Sequence, residues 1–201
     1  MQMHWDTVYS DVPESHRLAE VRCATELCKW LPKHIGVVEF FAGLGSLHDV
    51  FESELEPTSH YVCELDQKSV DGLLVRLSGS KTVVECGNAY VLAFPHITDG
   101  CLVSLDFNKY TILNLLQSKE AFWTLGHIAT CGAKYIHLTD SAVFRMHLNA
   151  KAYTKHLGVE IKNIDDYFAA CADKYFEMLG WTLMGTPYHR GAAHLLFRVG
   201  G

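Results

Sequence analysis

Apolar positions along the chain alternate between two spacings. Residues 35–41 form a run of strand length that ends in a glycine-rich turn. Leu47, Val50, Phe51 and Leu55 then recur at the helical spacing i, i+3, i+4, i+8. The same change of period repeats further on. Strands are predicted over 59–64, 81–86, 101–106 and 133–138. Helical patterns follow the second (Val70, Leu73, Leu74, Leu77) and the fourth, the latter over 111–130 with a break near Ser118. A helix over 165–179 carries Phe168, Cys171, Ala172, Tyr175, Phe176 and Leu179 and stops at Gly180. Ahead of the first strand, 14–31 reads as a helix with Pro13 and Glu14 suited to its start and Pro32 ending it. That helix either covers a sheet edge or helps close over a ligand. Residues 140–162 look irregular or partly helical, and 181–185 with 193–199 flank a turn-rich loop, the pattern of an antiparallel hairpin.

Strands alternating with helices predict a parallel α/β sheet. There is no repeat, low-complexity tract or linker, so residues 1–201 are expected to form a single domain. Within it, 1–34 would be an N-terminal helical extension and 140–162 a basic insertion on the substrate side.

Composition narrows the function classes. Hydrophobic residues make up 49% and charged residues 20%, ordinary for a globular protein, and no apolar run reaches the roughly 18–20 residues that cross a bilayer. The N-terminal Met-Gln-Met-His-Trp-Asp is not a basic stretch followed by an apolar one, and the seven cysteines are odd in number and scattered. Both features favour a cytoplasmic, reducing setting. No C-x-x-C occurs, and the twelve histidines show no zinc spacing, so no metal is expected. A net charge of −6 excludes a wholly basic surface, leaving phosphate contacts to a local patch.

The turn after the first strand carries the chemistry. Its glycines let the backbone bend sharply and approach a ligand, and the following helix offers free N–H groups. The pattern Glu39-x-x-x-Gly43-x-Gly45 has His48 where a dinucleotide fingerprint wants a third glycine. It resembles motif I of the class I S-adenosylmethionine (SAM)-dependent methyltransferases, and Phe41-Ala42-Gly43-Leu44-Gly45 resembles most that of the DNA and RNA methyltransferases. Five βα units and a closing hairpin match the element list of that family over roughly residues 35–199. The resemblance implies a three-layer sandwich with a seven-stranded, mostly parallel sheet whose last strand is inserted antiparallel. It also implies SAM as cofactor and S-adenosylhomocysteine as product. Motif I would supply Glu39, Phe41, Ala42, Gly43 and Gly45. Glu64, nineteen residues after Gly45, would hold the ribose hydroxyls, with Leu65 beside it. Asp66 suits the cap of the next helix. Gly87, Asn88 and Ala89 would hold the adenine edge.

The methyl acceptor should be written at the end of the fourth strand. No Pro-Cys occurs anywhere, which argues against covalent cytosine C5 chemistry, and the Lys-Asp-Lys-Glu set of the ribose 2′-O enzymes is incomplete. Asp106-Phe107-Asn108-Lys109-Tyr110 resembles a proline-free version of the [Asp/Asn/Ser]-Pro-Pro-aromatic motif of adenine amino methyltransferases. On that resemblance Asp106, Asn108 and Tyr110 are the catalytic candidates, with Asp106 also beside the donor. Phe107, Lys109, Arg145, His189 and Arg190 are the substrate candidates. The segment 140–162 holds Arg145, Lys151, Lys155 and Lys162 against Asp140 and Glu160, a local patch for nucleic acid. Asp106 also suits a helix cap, and the patch also suits a solvated surface. A small molecule or protein as acceptor, or a non-catalytic SAM-fold binding module, are the alternatives. Loss of Glu64 is expected to weaken SAM binding while leaving the unliganded protein nearly as stable.

Overall fold

The computed structural model describes residues 14–43, 45–106, 119–140, 146–189 and 192–200. Five strands run parallel: β1 (Val37–Phe40), β2 (His60–Glu64), β3 (Val83–Cys86), β4 (Leu102–Leu105) and β5 (Tyr135–Asp140). The sheet continues antiparallel through β8 (Ala192–Val199) to β6 (Trp181–Gly185), giving the order β3-β2-β1-β4-β5-β8-β6. A two-residue strand, β7 (Tyr188–His189), folds back onto β8 as an eighth strand that the sequence pattern did not separate from the hairpin loop. Strands β1, β2 and β4 are buried along their whole length. A parallel strand covered on both faces is mostly apolar, and short runs interrupted only by Glu39, His60, Glu64 and Ser104 mark these positions in the sequence.

The helices are α1 (Glu14–Cys28), α2 (Ser46–Leu55), α3 (Gln67–Arg76), the single-turn α4 (Ala89–Leu92), α5 (Lys119–Thr130), α6 (Met146–Leu157) and α7 (Ile164–Cys171). Alternate strand residues serve two cores. Val37, Leu102 and Leu196 pack with Leu27, Phe51 and Leu55 of α1 and α2. Val38, Val103 and Phe197 pack with Ile128 of α5, Tyr153 of α6 and Tyr167 of α7. This is the expected three-layer arrangement, with α1 and α2 on one face and α5 to α7 on the other.

Several boundaries differ for identifiable reasons. Helix α1 ends at Cys28 and closes with N–H bonds from Lys29 and Trp30 to Glu26 and Leu27, because the residues before Pro32 are pushed out of the helical region. Strand β5 includes Thr139 and Asp140, which pair with His194 and Ala193. Within 140–162, residues 146–157 are helical because Tyr153 and Leu157 recur on the core face. The expected helix over 165–179 starts at Ile164, widens into a π-turn over Ala172–Phe176 and tightens over Glu177–Leu179 before Gly180. Of the expected 111–130 helix, residues 111–118 lie outside the described residues.

Candidate active site

A parallel sheet brings the carboxyl ends of β1 to β5 to one edge, where ligands of open α/β folds sit. The chain leaving β1 takes three left-handed conformations within five residues: Phe41 (φ 62°), Gly43 (φ 54°) and Gly45 (φ 75°). Such a conformation is uncommon for phenylalanine. Phe41 holds it with an N–H bond to the Cys63 carbonyl at 3.0 Å and an edge-on contact with Tyr90 at 5.5 Å. A Cβ on Gly45 would collide with the Arg76 guanidinium and lie 2.7 Å from Leu73 Cδ2. Arg76 Nη2 donates to the Gly45 carbonyl at 2.9 Å and so ties the loop to α3.

Glu64 ties the loop to β2. One carboxylate oxygen accepts the Gly43 N–H at 2.8 Å, and the other accepts the N–H groups of Leu65 at 2.7 Å and Asp66 at 3.0 Å. A carboxylate offers about four lone-pair sites, so one remains for a further donor. These bonds argue that the unliganded protein also depends on Glu64, against the expectation that its loss would leave stability nearly unchanged. The Gly87 N–H donates to the Glu64 carbonyl at 2.9 Å, joining the ends of β2 and β3. Asp66 caps α3 through Ser69, as expected. Asn88 caps α4 by accepting the Tyr90 N–H at 3.0 Å. Leu65 is exposed at the same edge, whereas Ala42 and Ala89 are buried, Ala42 against Val62 and Leu73.

Glu39 is buried on the α2 face of β1, and its carboxylate is committed to His60. His60 Nε2 lies 2.7 Å from Glu39 Oε1, and its Nδ1 lies 2.6 Å from Glu52 Oε1. Two carboxylate acceptors require two donors, so the ring carries both protons. Burial opposes that charge, but Glu39 and then Glu52 outweigh it and raise the histidine above its ordinary value. His48 stacks on this cation at 4.3 Å, with Nε2 on Thr82 at 2.9 Å. Burial, followed by the His60 charge, lowers its pKa. Ligand atoms of His48, Glu52 and His60 lie within 4.8 Å of one another. A metal sits in the plane of each imidazole that binds it, whereas these two planes are tilted by only 16° and lie one above the other. The geometry suits a Glu–imidazolium–Glu triad beneath the loop better than an ion. The sequence spacing hid it because His60 comes from a different element from His48 and Glu52.

Asp106 follows β4 and extends the ladder with an N–H bond to the Phe40 carbonyl at 3.3 Å. Its Oδ1 accepts the Thr139 hydroxyl at 2.9 Å, across from the Gly43 loop on the same sheet edge. Asp140 is buried and accepts the Tyr167 hydroxyl at 3.3 Å. Sequence reading overlooked Glu20. It lies on the apolar stripe of α1 with Cys23, Ala24 and Leu27, and it is 6% exposed. Burial and then the charge of Asp106 push its carboxyl up to about 8, against Arg17. A glutamate at a core position of an amphipathic pattern was the available signal.

His189 accepts from Arg22 Nη1 at 2.8 Å, which fixes Nε2 as the unprotonated nitrogen. Lys162 pairs with Glu160 at 3.1 Å, reducing the basic patch, while Lys151 and Lys155 are exposed on α6. The candidates Phe107, Asn108, Lys109, Tyr110, Arg145 and Arg190 lie outside the described residues. A second buried chain crosses the sheet: Ser104 Oγ to His137 Nδ1 at 2.8 Å and His137 Nε2 to His194 Nδ1 at 2.9 Å. Burial, then His194, hold His137 well below its ordinary pKa, so it is neutral.

The strand order and the antiparallel strand between β5 and β6 define the class I SAM-dependent methyltransferase fold. The chain is similar to a SAM-dependent methyltransferase from Clostridium acetobutylicum, 10% identical over 96% of this chain and 94% of that one, with a TM-score of 0.59. It is also similar to the magnesium protoporphyrin IX methyltransferase of Synechocystis with bound S-adenosylhomocysteine (14% identity, 98% and 90% covered, TM-score 0.60). An rRNA methylase of Streptococcus thermophilus is a third (10% identity, 90% and 97% covered, TM-score 0.54). At these identities the likeness defines the fold. No protein-family model matches the chain, and no curated protein matches it in sequence.

Proposed function

We propose that this chain is a SAM-dependent methyltransferase acting on an amino group of a nucleic-acid base. The observation that carries the reading is the left-handed backbone at Phe41, Gly43 and Gly45, tied through Gly43 to Glu64 and set on the same sheet edge as Asp106. The cradle suits an adenosyl group across residues 41–45, 64–65 and 87–89, with Glu64 retaining one acceptor site for ribose. Motif I would then work chiefly through its backbone, and Glu39 would brace the root of the loop through His60 and α2.

When bound, SAM supplies a sulfonium methyl. The acceptor nitrogen forms a bond to that carbon as the sulfur–carbon bond breaks, and the electron pair goes to sulfur. Asp106, oriented by Thr139, would accept a hydrogen bond from the amine, direct its lone pair and take the proton released from nitrogen. Lys151 and Lys155 would meet the backbone phosphates. Among similarly folded proteins one is an rRNA methylase and another a porphyrin methyltransferase, so the acceptor is the element to test.

Incubation with methyl-labelled SAM and separate DNA, RNA, protein and small-molecule fractions tests the proposal. The expected result is label on an exocyclic base nitrogen, with binding that weakens steeply as salt rises. Label confined to protein or to a small molecule overturns the acceptor, and no transfer to any fraction overturns the enzyme reading.

A further inference from the structure

The sheet has an open side at β3. Strand β3 pairs with β2 on one side, and among the described residues no strand pairs with its other side. The Gly87 N–H donates to the Glu64 carbonyl of β2 at 2.9 Å. Backbone groups point alternately to either side along a strand, so those of Val83 and Glu85 also turn to β2, and those of Thr82, Val84 and Cys86 turn outward. The Thr82 N–H is met locally by the Ser80 hydroxyl at 3.2 Å. Open strand edges are ordinarily blunted by a proline, a bulge or charge. Residues 81–86 hold no proline, β3 keeps an unbroken register with β2, and the two charges, Lys81 and Glu85, have opposite signs and flank Val83 symmetrically. Apolar side chains border the edge. Val83 is 47% exposed, and Leu74 on α3 is 50% exposed. Leu74 lies about 160° around the helix from Arg76, which faces α2 through Gly45 and Asp49, so Leu74 overhangs the outer flank.

We infer that this edge joins a second copy of the chain, the two β3 strands pairing antiparallel about a two-fold axis at Val83 to make one continuous sheet. The inference goes beyond the methyltransferase reading and does not depend on it. A closed dimer uses the same patch on both copies, so the axis must pass through one residue of the edge. An axis at Glu85 sets two like charges opposite each other. An axis at Val84 sets each Glu85 opposite a valine and leaves Lys81 against the partner's Gly87. With the axis at Val83, the outward backbone groups of Thr82 exchange hydrogen bonds with those of the partner's Val84, and the reverse. The positions between them, where facing side chains come closest, then bring Val83 onto the partner's Val83 and Lys81 onto the partner's Glu85.

Glu85 is already placed for that role. Its half-buried carboxylate accepts the Tyr61 hydroxyl at 2.6 Å, and Tyr61 is itself stacked on the His96 ring at 3.7 Å. A carboxylate anchored by one hydroxyl keeps acceptor sites for a lysine. Lys81 is exposed. Pairing would also bring Lys81 and Thr82 into the strand, which the sequence pattern predicts over 81–86 and which the single chain begins only at Val83.

Sedimentation equilibrium of the whole chain over a concentration series tests the inference, with circular dichroism to confirm that each variant is folded. The wild type should pass from the 22.6 kDa chain to a species of twice that mass. Lys81→Glu sets like charges opposite each other in both pairs and should weaken association about tenfold or more, and Glu85→Lys should do the same. The two variants mixed in equal amounts should associate as the wild type does, because each chain of the mixed pair then meets opposite charge in both places. Amide exchange gives a second readout: the Val84 N–H should slow as concentration rises, whereas the Glu85 N–H, bonded to β2, should not change. A wild type that keeps the single-chain mass throughout the series overturns the inference. Association that neither variant weakens, or that mixing does not restore, overturns it too, as does a Val84 N–H indifferent to concentration. If Glu85→Lys fails to fold without its bond to Tyr61, Val84→Pro takes its place. It removes an outward N–H and leaves the bonds to β2, so association should be lost, and unchanged association overturns the pairing.

Discussion

Replacing Glu64 by alanine removes the acceptor of three backbone N–H groups at 2.7, 2.8 and 3.0 Å. The three are not equivalent. Leu65 and Asp66 are exposed, so water can replace the carboxylate there, whereas Gly43 is buried and its N–H would be left without a partner. A hydrogen bond to a charged group contributes about 1.5–3 kcal/mol, and an orphaned buried donor costs a similar amount. The loss should therefore be close to one such bond, about 2–3 kcal/mol in the unliganded protein. Glu64→Gln is a finer probe. Its single amide oxygen can serve either Gly43 or the Leu65–Asp66 side, and its NH2 would then face a donor on the other side. It should be destabilised too, despite its nearly identical shape. Urea titration gives the answer as a shift in midpoint at constant slope. A change below about 0.5 kcal/mol in both variants would show that the loop stands without its tether, and the account of the donor cradle would fail.

Three further outcomes follow from other parts of the site. Gly45→Ala should cost more than about 1 kcal/mol, because left-handed backbone and the collision with Leu73 and Arg76 add, and SAM binding measured by calorimetry should be lost; normal binding would refute the close fit. Asp106→Ala should lower turnover about a hundredfold while SAM affinity falls much less, and a folded variant with the wild-type rate would reduce Asp106 to a cap. His60 has a raised folded-state pKa, so its stabilisation is complete below the ordinary histidine value of 6.5 and is lost as pH rises through the higher folded value. Denaturation midpoints should fall across that alkaline window in the wild type and less in His60→Gln; the opposite slope would mean that the ring is neutral between its carboxylates.

The sequence made the strand-and-helix alternation legible because both periods are driven by burial. Strands β1, β2 and β4 are buried along their whole length and mostly apolar, and Phe51 and Leu55 had to share one face of α2. The glycine-rich loop after β1 was legible for a related reason: glycine at 43 and 45 answers a local backbone requirement. What escaped reading depends on residues far apart in sequence. Glu20 looks like a misplaced charge on an apolar stripe until the fold buries it within the field of Asp106. Glu39 looks like a cofactor ligand until β2 sets His60 next to it. Strand β7 escaped because two-residue strands have no period to detect, and α6 because its core contacts, Tyr153 and Leu157, lie among charged neighbours.

The place of β8 in the sheet has a consequence for how the protein is made. Strand β8 is inserted between β5 and β6, although it follows both in the chain, and α1 packs on β8 as well as on α2. While the ribosome is still holding residues 192–199, strands β1 to β5 and the Gly43–Glu64 tether can already assemble, since every residue they need has emerged. The corner containing Glu20 cannot, because Ala19 and Cys23 have no Ala192 to rest on. Synthesis therefore separates the two ends of this sheet edge in time: a nascent chain forms the Gly43–Glu64 loop first, and closes the α1–β8 corner only when sequence-distant strands meet, the slow class of contact in folding.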